Sequence, residues 1–182
     1  MGEIQDVVVT PLSADVPAVS GALDTAAVLA SLKRAGVTHL VWLPDSESAL
    51  LYDMVRSDAE IELVQVCREG ESFGVAAGLF VAGKKPAVVI QSTGFFESGD
   101  SIRGLALWLR LPLLLVIGYR GWQPDGLSAD TAAHYLEPLL AAWQIHYRIA
   151  RSPADTELFT AALAQAERES RPVAILIAAE WT

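Results

Sequence analysis

The segment VCREGESFGVAAGLFVAGKKPAVVIQSTG, Val66 to Gly94, combines the two patterns that decide the fold. Its first half is crowded with glycine and alanine, a composition that lets a helix approach a neighbouring layer closely. Its second half contains PAVVIQ (86–91), which is apolar at consecutive positions rather than at alternate ones. Such a run is typical of a strand covered on both faces, as in a parallel sheet between layers of helices. The segment therefore predicts a helix that leads into a buried parallel strand.

The same alternation of helix and buried strand extends along the chain in both directions. Strands are predicted at 38–44, 61–66, 86–91, 112–118, 145–149 and 172–178. Helices are predicted at 22–35, 46–57, 70–83, 99–110, 131–143 and 153–169. We therefore expect an α/β fold with three layers, α/β/α, around a six-stranded parallel sheet. One domain is expected over residues 21–182, preceded by an N-terminal arm over residues 1–20.

Composition and charge narrow the classes of function. The net charge of −9 argues against a nucleic-acid partner, which would require clustered lysine and arginine. Hydrophobic residues make up 52% of the chain, which favours a large buried interface with another subunit. No apolar run approaches the roughly 18 residues that a membrane span needs, and the first residues lack the pattern of a signal peptide. A cytoplasmic protein without a membrane partner is therefore expected.

Three apparent motifs do not support a phosphate-binding loop, a nucleophilic serine or a metal site. GLFVAGKK (78–85) is similar to a phosphate-binding loop, but it leads from a helix into a strand, the reverse of the order that such a loop needs. QSTGF (91–95) is not the G-x-S-x-G turn of a nucleophilic serine. The histidines show no metal-ligand spacing, and the single cysteine, Cys67, excludes an internal disulfide and a cysteine metal cluster. No metal site is therefore predicted within the chain.

Polar residues at the ends of the predicted strands remain as candidates for a site, because ligands of parallel sheets gather beyond the carboxyl ends of the strands. The candidates are Asp45, Ser46, Glu69, Glu71, Gln91, Ser92, Thr93 and Arg120. Glu69 is of most interest, since it stands at the start of the glycine-rich helix. Either it only stabilises the positive end of that helix dipole, by about 0.3–1 kcal/mol, or it takes part in chemistry. Spacing alone does not decide between the two.

Three segments occur in an order that resembles a known family. They are LPDS (43–46), REGESFGVAAGLFVAGKKPAVVIQSTG (68–94) and LRLPLLLVIGYRG (109–121), and each reaches the carboxyl end of a predicted strand. Together they resemble the pyrimidine-binding half of thiamine-diphosphate-dependent 2-oxo acid decarboxylases, over roughly residues 22–180. Within that family the chain is similar to the alpha subunit of sulfopyruvate decarboxylase and to the matching half of phosphonopyruvate decarboxylase. The resemblance implies the thiamine-diphosphate-binding fold, in the form of its pyrimidine-binding domain.

The resemblance also implies roles for individual residues. The implied catalytic residues are Glu69, which matches the glutamate that hydrogen-bonds the aminopyrimidine ring of the cofactor, and Asp45, which matches a proton relay near the reacting carbon. A carboxyl group beside an apolar wall can share a proton with the ring nitrogen. Besides Glu69, the implied cofactor-binding residues are Gln91, Thr93 and Gly94. The implied substrate residues are Ser46, Ser92 and Arg120.

The function that the resemblance implies is that of a lyase subunit. It would decarboxylate a small 2-oxo acid, such as sulfopyruvate or phosphonopyruvate, with thiamine diphosphate (thiamine pyrophosphate) and Mg²⁺. The G-D-G…N signature that holds magnesium and the diphosphate in this family does not occur in these 182 residues. The resemblance therefore implies a hetero-oligomer in which a beta subunit carries the diphosphate-binding domain. Self-association of the chain is expected as well.

The chain departs from the family pattern near the expected substrate. Ser92 replaces an asparagine, the stretch after it (92–100) looks longer than the usual loop, and Tyr119 replaces a histidine. Two alternative functions stay open. The first is a carboligase subunit, in which the longer loop borders a second substrate. The second is a non-catalytic regulatory or scaffold subunit, suggested by the missing diphosphate half, although the presence of Glu69 speaks against it.

Overall fold

The computed structural model of the chain describes residues 21–45, 49–123 and 125–182. The predicted N-terminal arm over 1–20 and the candidate substrate residue Ser46 lie outside these ranges. The described residues form a sheet with helices on both of its faces.

The six predicted strands form one sheet in which every neighbouring pair runs parallel. The strands of the described residues are β1 (His39–Trp42), β2 (Glu62–Gln65), β3 (Pro86–Gln91), β4 (Leu114–Gly118), β5 (Trp122–Gln123), β6 (Gly126–Leu127), β7 (His146–Ala150) and β8 (Val173–Ile177). Only β5 and β6 stand outside the sheet, where they pair as a short antiparallel hairpin. The order across the sheet is β2-β1-β3-β4-β8-β7, so β1 lies between β2 and β3.

Helices form most of the connections between the strands. They are α1 (Thr25–Arg34), α2 (Ala49–Arg56), α3 (Glu69–Val81), α4 (Ser92–Glu97), α5 (Gly99–Ser101), α6 (Thr131–Ala142) and α7 (Leu158–Glu169). A π-helical segment (Ile102–Leu107) follows α5, and a 3₁₀ segment (Pro153–Glu157) precedes α7. Asp24 caps the start of α1 by accepting backbone N–H groups, and Gly36 takes a positive φ of 82° just after its end. None of the helices in the described part of the chain is long and apolar enough to cross a membrane.

The two faces of the sheet form two hydrophobic cores, because successive strand residues point to opposite sides. On one face, Val89 and Val116 pack with side chains from α1, α2 and α7. On the other face, Val88 and Ile117 pack with side chains from α3, α4, the π-helical segment and α6. Burial on both faces explains why these strands are apolar at consecutive positions. The predicted three-layer α/β/α architecture is confirmed.

Two details differ from the sequence-based prediction. The stretch 92–100, predicted as a loop, is helical in α4 and α5, and the helix predicted over 99–110 is only part of that helical run. The loop prediction is wrong because α4 begins directly after β3 and turns its apolar side inwards, so that Phe95 is wholly buried. The stretch that motivated the carboligase alternative is therefore helical. The hairpin of β5 and β6 was missed, since two-residue strands carry no periodic signal.

Candidate active site

The predicted site residues that the structure describes lie at one edge of the sheet, at the carboxyl ends of the parallel strands. Asp45 follows β1, Glu69 follows β2 as the first residue of α3, and Gln91 is the last residue of β3. Because β1 pairs with both β2 and β3, these three residues follow adjacent strands. Arg120 follows β4, the next strand in the sheet. The sheet order therefore brings four separate chain segments to one rim.

Glu69 lies directly against the backbone of Gly94 in α4. A Cβ atom built on residue 94 would stand 2.5 Å from Glu69 Cγ and 2.8 Å from Glu69 Oε1. Carbon atoms do not approach so closely, so only glycine leaves room for this glutamate conformation. Glu69 is half-buried. Its carboxyl group is therefore held between α3 and α4 while part of its surface stays accessible.

The turn from β3 into α4 carries three more of the predicted residues. Thr93 Oγ1 donates a hydrogen bond of 2.9 Å to Gln91 Oε1, which ties these two side chains together. Ser92 between them is wholly buried, and its Oγ has no hydrogen-bond partner among the described residues. Leaving a buried hydroxyl unpaired costs on the order of 1–3 kcal/mol. Thr93, in contrast, is exposed and can contact a ligand directly.

A second carboxylate, which the sequence did not single out, contacts the start of α3. Glu97 Oε2 accepts the backbone N–H of Gly70 at 2.9 Å, and Glu97 Oε1 accepts the Nε–H of Arg68. Arg68 is the larger of the two causes that hold the pKa of Glu97 below its usual range, and the Gly70 N–H is the other. No local motif predicts this contact, since Glu97 follows Gly70 by 27 residues in the chain.

Arg120 is paired with a carboxylate at the start of α6. Its Nε donates to Asp130 Oδ2 at 2.7 Å, while Asp130 Oδ1 accepts the N–H of Ala132 as the N-cap of the helix. The Ala132 N–H lowers the pKa of Asp130 most, and Arg120 lowers it further. The Arg120 side chain is still 49% exposed. The pair therefore holds the arginine at the rim of the site.

Tyr119, the neighbour of Arg120, belongs to a buried network rather than to the accessible rim. Tyr119 and Tyr147 each donate a hydroxyl hydrogen bond to the carboxylate of Glu137 on α6. Only 4% of Tyr119 is exposed. Burial, and then the Glu137 carboxylate, raise the pKa of both tyrosines. Tyr119 therefore joins β4 to α6 instead of presenting a hydroxyl to a substrate.

The candidate residues line different cavities along the carboxyl edge of the sheet. Thr93 and Arg120 line a cavity of about 460 Å³, together with Tyr135. Arg120 also borders a larger groove of about 850 Å³, whose wall includes Trp181. Asp45 lines a narrow cavity of about 50 Å³ that reaches Trp181 as well. The sequence predicted neither Tyr135 nor Trp181, because a lone aromatic residue carries no spacing signal.

The structure thus brings some of the predicted residues together and leaves others apart. Glu69 and Gly94 are in contact, Gln91 and Thr93 share a hydrogen bond, and Thr93 and Arg120 share a cavity. Asp45 lines a different cavity. Within the described ranges, no group of three or more histidine, cysteine, aspartate or glutamate side chains could hold a metal ion.

Comparisons with known proteins point to one family. The family model described as thiamine pyrophosphate enzyme, N-terminal TPP binding domain, matches residues 25–121. The sulfopyruvate decarboxylase subunit alpha of Methanothermobacter thermautotrophicus is 31% identical over 153 residues, which are 83% of this chain and 93% of that protein. The phosphonopyruvate decarboxylase of Streptomyces viridochromogenes is 31% identical over 114 residues, which are 63% of this chain and 28% of that protein.

A solved structure extends the likeness to the fold. The benzoylformate decarboxylase of Polynucleobacter necessarius matches 84% of this chain with a TM-score of 0.66 and 18% sequence identity. At that identity the likeness concerns the fold alone. The match covers 29% of the benzoylformate decarboxylase chain, so this chain spans less than a third of that protein but nearly all of the alpha subunit.

Proposed function

The chain belongs to the thiamine pyrophosphate enzymes and carries their N-terminal TPP binding domain, and from this we propose that it is the pyrimidine-binding subunit of a two-subunit 2-oxo acid decarboxylase. A relative that it matches over nearly the full length is named as a sulfopyruvate decarboxylase subunit alpha. The substrate class that we propose is a small 2-oxo acid with a second acidic group, as in sulfopyruvate or phosphonopyruvate.

The observation that carries this proposal is the contact between Glu69 and Gly94. It holds a carboxyl group in a half-buried position at the ends of β2 and β3, where a side chain on residue 94 would displace it. A glutamate that only stabilised a helix end would not need this close contact with a glycine, because a carboxylate can stabilise the helix dipole from many side-chain positions. The residues present therefore fit the pyrimidine ring of thiamine diphosphate, with Glu69 as the partner of a ring nitrogen.

The residues of this chain bind and orient the cofactor and move protons. When bound, thiamine diphosphate supplies a carbon nucleophile for the 2-oxo acid and an electron sink for decarboxylation. Glu69 would pair its carboxyl group with a ring nitrogen of the pyrimidine and exchange a proton with it. Gln91, Thr93 and Gly94 form the wall of the pyrimidine site beside Glu69. Asp45, at the adjacent strand end, would relay a proton toward the reacting carbon, as its position in the family motif suggests.

The substrate would be recognised mainly by Arg120. Arg120 is a charged donor at the rim of two cavities, and arginine suits sulfonate, phosphonate and carboxylate oxygens. Asp130 keeps the guanidinium in place and offsets part of its charge. Ser46 would also serve the substrate side, as its position in the family motif suggests. Ser92, which the resemblance implies as a second substrate residue, is wholly buried and presents no surface to a substrate.

We infer that a partner subunit holds Mg²⁺ and the diphosphate of the cofactor. The G-D-G…N signature is not among the 182 residues of this chain, and the full-length relative is named as one subunit of its enzyme. Two neighbouring segments also present apolar side chains to solvent. Val81 at the end of α3 is 84% exposed, and Trp108 after the π-helical segment is 81% exposed. The partner would cover this side, which begins at the helix that carries Glu69.

The proposal is tested on the complex of this chain with a partner subunit that carries G-D-G…N. Release of CO₂ is measured from sulfopyruvate, phosphonopyruvate and pyruvate, with and without thiamine diphosphate and Mg²⁺. We expect release that needs both subunits, the cofactor and the metal, and that favours a substrate with a second acidic group. Cofactor-independent release, or no release from any of the three acids, would contradict the proposal.

Glu69→Gln tests the proton partner within that complex. We expect turnover to fall about 100-fold or more, because general acid–base groups contribute about 10²–10⁴-fold. The thermal midpoint should stay unchanged. The matched control is Glu71→Gln in the same first turn of α3. Glu71 is exposed, accepts the N–H of Cys67, and its variant should keep turnover within about two-fold. Retention of more than about a tenth of the activity by Glu69→Gln would remove Glu69 from the proton-transfer role.

A further inference from the structure

The carboxylate of Glu97 accepts hydrogen bonds from the residues on both sides of Glu69. Its Oε2 accepts the backbone N–H of Gly70, the residue after Glu69, at 2.9 Å. Its Oε1 accepts the Nε–H of Arg68, the residue before Glu69. The Glu97 side chain is only 29% exposed, whereas Arg68 is 71% exposed, so the glutamate is the anchored member of the pair. The Glu97 side chain therefore restrains the backbone on both sides of Glu69, the proposed proton partner.

The same short helix contacts Glu69 through a second residue. Gly94 and Glu97 are three positions apart in α4, a spacing that places two residues on one face of a helix. Gly94 accommodates the Glu69 side chain, while Glu97 holds the backbone of residues 68–70. We propose that Glu97 is a positioning residue for Glu69, which sets the distance of the Glu69 carboxyl group from the cofactor ring.

The contacts of Glu97 distinguish this role from ordinary capping of α3. A capping carboxylate normally comes from the residue just before the helix, and in α3 that position is Arg68, whose side chain makes no capping bond. The cap is supplied instead from α4, the helix that also carries Gly94. Any displacement of α4 would therefore shift both the backbone and the side-chain contacts of Glu69 together. Arg68, and then the Gly70 N–H, also hold the pKa of Glu97 below its usual range.

The first test uses the full chain alone and does not depend on catalysis. Hydrogen–deuterium exchange is compared at the start of α3 (residues 68–72) in wild type, Glu97→Ala and Glu97→Gln. We expect exchange about 10-fold faster in Glu97→Ala, because the Gly70 N–H loses its acceptor. Glu97→Gln should exchange at a rate between the two, since its amide oxygen can still accept that N–H. Unchanged protection in Glu97→Ala would overturn the proposal.

The second test uses the complex and rests on the proposed function. We expect Glu97→Ala to lower kcat about 10-fold and to weaken thiamine diphosphate binding about five-fold by calorimetry, with KM for the 2-oxo acid within about two-fold. Glu97→Gln should recover part of both losses. The matched control is Asp100→Ala, which removes the exposed ion pair with Arg103 on the neighbouring helix and should leave all three quantities unchanged.

A double-mutant cycle separates positioning from a general structural role. In the Glu69→Gln background, Glu97→Ala should change neither the residual kcat nor the cofactor affinity, because its effect acts through Glu69. Losses that multiply in the double variant would overturn the proposal, as would a Glu97→Ala complex within two-fold of wild type. A wild-type complex that binds no thiamine diphosphate would instead contradict the proposed function, while the exchange experiment would still decide whether Glu97 holds the start of α3.

Discussion

At the scale of single residues, the candidate site depends on the contact between Glu69 and Gly94. Glutamate at a helix start is common and needs no function, so its presence alone leaves two interpretations open. The contact with Gly94 supports the proposed catalytic role, because the Glu69 side chain occupies the place where a Cβ atom of residue 94 would be. The two residues therefore form one unit, although 25 positions of sequence separate them.

Gly94→Ala is expected to impair catalysis more than folding. The new Cβ would stand 2.5 Å from Glu69 Cγ, so the half-buried glutamate would rotate away at little cost to stability. We expect kcat of the complex to fall at least about 10-fold, since small displacements of catalytic groups are costly, while the thermal midpoint changes little. Gly99→Ala is the control, because a Cβ there meets only Trp143 at an ordinary 3.7 Å. Equal activity of the two variants would contradict the importance of the Glu69–Gly94 contact.

Single helices are positioned by side chains that reach them from distant elements. α6 is joined to the sheet by Glu137, which accepts hydroxyl hydrogen bonds from Tyr119 after β4 and from Tyr147 in β7. The start of the same helix carries Asp130, the partner of Arg120. The two tyrosines therefore help to position α6 against the sheet. Through Asp130 at the start of α6, they also help to position Arg120 at the rim of the candidate site.

Tyr147→Phe is expected to destabilise the chain by about 1.5 kcal/mol, because it removes a buried hydrogen bond to a charged group. Urea unfolding at pH 8 measures this loss. Tyr135→Phe is the control, since Tyr135 is 65% exposed on the same helix and should change the free energy of unfolding by less than about 0.5 kcal/mol. A loss no larger than that of the control would show that the Tyr147 bond contributes little to holding α6.

The two tyrosines also predict a loss of stability at alkaline pH. Their pKa values are raised in the folded chain, whereas an unfolded tyrosine ionises near pH 10. The contribution of the two tyrosines to the free energy of unfolding is therefore complete below about pH 10. It is lost as the pH rises above that value, because the unfolded chain then releases protons that the folded chain keeps. Between pH 9 and 11.5, the free energy of unfolding should fall less steeply with pH in Tyr147→Phe than in wild type. The difference between the two slopes should correspond to about one proton. An identical slope would contradict this assignment.

At the scale of the whole molecule, the strand order places the site and leaves one side of the protein uncovered. β1 lies between β2 and β3, so that Asp45, Glu69 and Gln91 stand at the carboxyl ends of three adjacent strands. α3 and the π-helical segment pack side by side over this part of the sheet. Their outward glycines, Gly74 and Gly104, have open space around the position of a Cβ. This open, apolar side is the surface that the proposed partner subunit would cover.

Trp108→Glu is expected to weaken association with the partner subunit at least about 10-fold without changing the thermal midpoint of the chain alone. Trp108 is 81% exposed, so the substitution removes little from the folded chain but puts a charge into the proposed interface. Analytical ultracentrifugation of the mixed subunits measures the association. Ala161→Glu is the control, an exposed change on α7 in the opposite layer of helices. Equal association of both variants with the partner would place the interface elsewhere.

The sequence by itself determined the layers, the six parallel strands and the position of Glu69 at a strand end. These follow from local patterns, since continuous apolar runs specify strands buried on both faces and residues after them fall at the carboxyl edge. Only the tertiary structure decided that Gly94 receives Glu69, that Glu97 holds the residues around it, and that Tyr119 turns to α6. The physical reason is that these contacts join distant chain segments, and their geometry depends on the strand order and on how α4 and α6 pack, which no local periodicity encodes.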